Sequence, residues 1–127
     1  MVEQDYIMRL IHEMVRALLK LLFNINTESV TEELLEDAAL KDELVKLQEL
    51  VDKGRINQAE NELYDLMDRI DSEKLKLAML FYSYVNEKDN DFLEKNDYSR
   101  EEVEAGIKDV LKRSGMDGIA ESIFLDE

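Results

Sequence analysis

The side chains best able to do chemistry here are carboxylates: 31 aspartates and glutamates stand against one histidine and no cysteine in 127 residues. Metal binding by such a set needs ligands at fixed spacing. His12-Glu13 has the start of a zincin helix, but the second histidine would fall at Arg16. The Glu-x-x-His pair of di-iron bundles fails at Arg9, a cation three residues before His12. Asp89-Asn90-Asp91 opens like a calcium loop, yet the glycine required at the sixth position is Glu94. No metal site is expected.

Paired carboxylates also serve as general acid and base when burial separates their pKa values. Glu32, Glu33, Glu36 and Asp37 lie together but beside a helix start, where acids stabilise the positive end of the dipole. Ser29, Ser72 and Ser99 read as helix caps, and no Gly-x-Ser-x-Gly elbow or glycine-rich phosphate loop occurs. The expectation is therefore a protein without catalytic residues or cofactor. The remaining chemistry is aromatic: Phe81, Tyr82 and Tyr84 crowd one helix and are candidates to line a ligand pocket.

Composition sets the frame. Apolar residues make up 45% of the 14.9 kDa chain and charged residues 37%, enough for one core-bearing domain over residues 1–127. Four glycines and no proline argue against sandwiches and barrels, which need frequent turns. The net charge is −15, and the sequence pI is about 4.4. Nucleic-acid phosphates and anionic lipids both demand a basic footprint, so neither is an expected partner. Acidic arrays can imitate phosphates before a basic partner, with residues 28–52 the candidate stretch, but a solvated acidic face is the commoner role. Glu3 and Asp5 stand where a secretory leader has bases, and Ala17–Phe23 is too short to span a bilayer. Together with the missing cysteines, these features predict a cytoplasmic protein.

Every strong periodicity is helical. Over Val2–Asn24 the polar residues Asp5, Arg9, His12, Glu13, Arg16 and Lys20 gather on one side. The other side is an apolar arc of roughly 200°. A surface helix needs an apolar stripe little over 100° wide, so this helix must be sandwiched within the domain or shared with a second copy. Residues 1–27 hold three acids and three bases, whereas residues 28–52 hold nine acids and two bases. Neutrality spares the first helix the repulsion that acidic segments impose on two like molecules. Its arc residues Ile7, Leu10, Ile11, Met14, Leu18, Leu21 and Leu22 form a candidate self-association surface.

Further along, Ser29 with Glu32, Asn57 with Glu60 and Ser99 with Glu102 match the capping box. The stripe Leu34, Leu35, Ala38 restarts on another face as Leu40, Leu44, Leu47, Val51, which predicts a break near Asp37–Lys41. Gly54 stops that helix, and Ile56, Ala59, Leu63, Leu66, Met67 and Ile70 form the next stripe. Residues 47–64 thus read as a tetratricopeptide-like hairpin without a second copy near 34 residues away. Asp71 or Ser72 caps a helix that is apolar nearly all round, hence central. Phe92-Leu93 sits on a short turn after a polar break, Gly115 ends the following helix, and Ile119–Leu125 suggests a last short one.

Three stretches carry a resemblance: Gln4-Asp5-Tyr6-Ile7-Met8-Arg9-Leu10-Ile11, Gly54-Arg55-Ile56-Asn57-Gln58-Ala59-Glu60-Asn61, and Asp91-Phe92-Leu93-Glu94 with Tyr98-Ser99-Arg100-Glu101-Glu102. Together they resemble a family of short, acidic bacterial proteins of unknown function. The resemblance implies one helical domain of bacterial origin and carries no mechanism with it.

The expected fold is all-α, a compact bundle of five or six helices with neighbours antiparallel because the connections are short. The expected function is a helical interaction module, with a homodimer or another protein as partner. A small-ligand pocket near the aromatic helix 72–86 is the alternative.

Overall fold

The computed structural model describes residues 2–116, 118 and 119. Six helices are described: α1 (Val2–Phe23), α2 (Ala38–Asp52), α3 (Ile56–Asp65), α4 (Ser72–Asn86), α5 (Asn90–Lys95) and α6 (Arg100–Arg113). The described residues contain no strand. The architecture is all-helical.

Helix α4 is the axle. It packs against α1, α2 and α6, while α3 leans on α2. Leu75, Leu77–Phe81, Tyr82 and Val85 are all buried, so every side of the helix meets a neighbour. Its apolar circumference is the reason: only a helix surrounded on all sides can hide such a sequence. Asp71 starts it, accepting from the Lys74 amide at 2.8 Å. Ile11, Val15, Leu18 and Leu19 from α1, Leu44, Leu47 and Val51 from α2, and Val103, Ile107 and Val110 from α6 close around it in one cluster. At Gly106 the backbone of α6 lies against the Tyr82 ring so closely that a Cβ would stand 2.3 Å from Cζ.

Helices α2 and α3 are joined by a glycine turn. Gly54 adopts a φ of +83°, and the Arg55 and Gly54 amides donate to the carbonyls of Leu50 and Val51, both at 2.9 Å. This is the Schellman arrangement, in which a left-handed residue lets the chain satisfy the last helical carbonyls. Gly115 (φ +80°) repeats it after α6, and Asp97 (φ +59°) does so after α5 without the help of glycine.

Several local expectations require correction. Ser29 and Glu32 form no capping box. Ser29 instead shares a tight turn with Thr27, and Glu32–Leu34 is a single 3₁₀ turn preceded by Thr31, which makes no side-chain cap. The real start is Asp37, whose carboxylate accepts from Ala39 and Leu40 at 2.9 and 3.2 Å. The break expected near Asp37–Lys41 is thus the beginning of α2. Asn57 does not cap α3, which begins one residue earlier behind Arg55. Its amide reaches across to donate to the Asp97 carbonyl at 3.2 Å. The stripe ending at Ile70 outruns its helix: α3 stops at Asp65, and the amides of Leu66 and Met67 bond three residues back. Ser99 does cap α6, accepting from the Glu102 amide at 3.2 Å. The short helix expected over Ile119–Leu125 lies, beyond Ile119, outside the described residues.

Candidate interaction surface

The apolar arc of α1 is divided between two environments. Ile11, Val15, Leu18 and Leu19 are fully buried and Met14 is 6% exposed, all against the chain's own helices. Of the seven residues expected on a self-association surface, Ile11, Met14 and Leu18 therefore belong to the protein's own core. The physical reason is that α1 lies on both α4 and α6, which need these side chains to close the core. Ile7, Leu10 and Leu22 are only half-buried at the margin of that core. Leu21 is 60% exposed. The flank that stays open thus runs along Ile7, Leu10 and Leu21, with exposed Ala17 between them. Alanine weighs little in an apolar count, which is why Ala17 is missing from the expected set. Tyr6, 59% exposed, borders the same flank.

Charge is balanced along the polar side of α1. Glu13 pairs with Arg16 at 3.1 Å, and Arg16 Nε donates to the Thr27 carbonyl at 2.9 Å, tying down the loop after the helix. Lys20 is exposed and makes no ion pair among the described residues. A shallow groove of about 770 Å³ crosses the N-terminal half of the helix, lined by Tyr6, Met8, Arg9, Leu10 and His12 together with Asn86. No cluster of ligating side chains suited to a metal occurs among the described residues. His12, half-buried at the edge of α1, has no such company.

The three aromatic residues expected near a pocket lie in different surroundings. Phe81 and Tyr82 are completely buried and packed edge to face, centroids 5.1 Å apart. They fill space rather than line it, because a ring on the central helix is the largest available plug. Tyr84 borders a recess of about 240 Å³, together with Leu80 of the same helix and Val30, Gln48 and Glu87. Its hydroxyl donates to Asp52 Oδ1 at 2.7 Å, and Lys88 Nζ meets the same oxygen at 2.6 Å. Burial raises the pKa of Asp52, but these two partners outweigh it and hold the carboxyl below its ordinary value.

Three polar features escape sequence reasoning. Glu60, assigned to a cap, instead accepts from the Tyr82 hydroxyl at 2.6 Å, and burial pushes its pKa up against that bond. Lys76 is buried, bonded to Glu73 at 2.6 Å and donating to the Leu34 carbonyl at 3.3 Å. Arg100 is 1% exposed, and its guanidinium donates to the carbonyls of Asn86 and Lys88 and to the side chains of Asn90 and Gln4. It thereby ties α6 to the outgoing end of α4. A signal for Arg100 exists in the sequence: a cation directly after a cap opposes the helix dipole, so it must serve something else.

Among the described residues no helix is long and apolar enough to cross a membrane. No curated protein and no solved structure matches the chain. The model of one family, DUF6483, does match, over residues 1–115. The chain therefore belongs to this family of unknown function.

Proposed function

We propose that the protein is a non-catalytic, cytoplasmic interaction module of bacteria that associates with a second copy of itself through the open flank of α1. The observation that carries this reading is the apolar margin of an electrically neutral helix, with Leu21 60% exposed, on a molecule of net charge −15. A large apolar residue left in water costs solvation free energy that a partner recovers. Two copies meeting through α1 bring together segments whose acids and bases balance. The two-fold symmetry common to homodimers lets one flank serve both sides. The α2–Gly54–α3 hairpin, patterned like a tetratricopeptide unit with buried Ala59 at the close approach, acts as scaffold.

Sedimentation equilibrium tests the reading. Wild-type protein should dimerise in the micromolar range, and Leu21→Asp should give a folded, helical monomer because this position is already 60% exposed. A wild-type monomer at several hundred micromolar would end the proposal.

A further inference from the structure

Along α1, Ile7, Leu10, Met14, Ala17 and Leu21 are spaced three, four, three and four residues apart. That is the heptad spacing of a coiled-coil seam. The line lies about 100° around the helix from the buried row Ile11, Val15, Leu18, Leu19. Ile7, Leu10, Ala17 and Leu21 are the members of this line still wholly or partly in solvent, and a second helix meets these four, whereas Met14 is 6% exposed in the chain's own core. We infer that two copies pair through this seam in antiparallel order, with Leu10 of one chain facing Leu21 of the other. The inference rests on the self-association proposed above and specifies its geometry.

Charge chooses the orientation. On the solvent side of the seam stand Glu13 and Lys20, one heptad apart and both exposed. In an antiparallel pair, residues at these equivalent positions face each other across the interface. Glu13 then meets Lys20 of the second copy, and symmetry makes the contact twice. In a parallel pair each would face the opposite flank, which here is Ile11 and Leu18, buried in the chain's own core. Glu13 already holds Arg16, but its side chain is 64% exposed and can accept a second cation.

The chain has no cysteine, so single cysteines report cleanly. Leu10→Cys mixed with Leu21→Cys should form a disulfide between copies under mild oxidation. Leu21→Cys alone should not, because two copies of that position lie about 16 Å apart along the pair. Charge reversal supplies an independent readout by sedimentation. Glu13→Lys or Lys20→Glu should each weaken association about tenfold, since two attractions become two repulsions. The double variant Glu13→Lys with Lys20→Glu should recover it. Leu21→Cys linking to itself, or a double variant no tighter than the singles, would overturn the antiparallel seam while leaving a dimer in place. A wild-type protein that stays monomeric would instead remove the reading on which the seam depends.

Discussion

Helices α1 and α4 are both apolar around more of their circumference than a surface helix needs, yet they end in different surroundings. Helix α4 has α1, α2 and α6 around it, and eight of its apolar residues vanish from solvent. Helix α1 rests on α4 and α6 and leaves a flank with Leu21 and Ala17 in the open. The difference teaches that a wide apolar arc counts the neighbours a helix requires, not where those neighbours come from. For α4 the chain supplies them all. For α1 it supplies those for one half of the arc.

The sharpest way to break that comparison is truncation on each helix. Phe81→Ala, at the centre of α4, should cost about 3–5 kcal/mol, because it removes a fully buried ring and leaves a cavity. Leu21→Ala should change the stability of dilute protein by no more than about 0.5 kcal/mol. Urea midpoints at concentrations where the protein is monomeric measure both. Comparable losses would show that the open flank of α1 is core after all.

A smaller effect tests the extra wall that α4 enjoys. The α2–α3 turn lies against Asn96, just past α5, where a Cβ on Gly54 would stand 2.3 Å from Asn96 Oδ1. Gly54→Ala should therefore destabilise by about 2 kcal/mol, combining the left-handed backbone of alanine with displacement of Asn96. The turn lies far in sequence from α1, so association of the folded fraction should be unaffected. A variant that keeps its stability but loses association would reverse the assignment of the two regions.

How much of this was legible in the chain depends on whether the determinant is local. Gly54 and Gly115 could be read as stops and Asp71 and Ser99 as caps, because each acts within one turn of its own position. Central burial of α4 followed from its periodicity. The Ser29 and Asn57 boxes misled because a chain with 31 acids produces the capping spacing by chance. Nothing local distinguishes Asn57 the cap from Asn57 the donor to Asp97, 40 residues away. The same holds for Glu60 and Tyr82, and for Arg100 and the end of α4: these bonds join separate elements. On α1, periodicity gave the width of the arc but not which half faces inward. That division depends on where α6 returns.

The smallest expected effect concerns charge around α4, where two carboxylates should respond to acid in opposite directions. Desolvation raises the pKa of Glu60 above 4.5, assisted by Glu102 and Asp109 and opposed by the Tyr82 and Tyr98 hydroxyls. The folded protein thus binds this proton more tightly than the unfolded chain does. Glu60's contribution is fully favourable below pH 4.5 and is lost as pH rises through the raised folded value. For Glu73, burial also pushes upward, but Lys76 and the amides of Asp37 and Glu36 prevail and hold the carboxyl below 4.5. Its contribution is present above pH 4.5 and disappears as pH falls through the lowered value. Glutamine keeps an acceptor for Tyr82 without the charge. Glu60→Gln should accordingly be more stable than wild type near pH 7, with the gap closing as pH approaches 4.5. Glu73→Gln should be less stable near pH 7, with its deficit shrinking in acid as the wild type loses the same interaction. Urea midpoints of both variants and wild type at pH 7.5, 5.5 and 4.5 measure the two trends. A Glu60→Gln advantage that widens on acidification would mean that the Tyr82 hydrogen bond, not burial, governs this carboxylate.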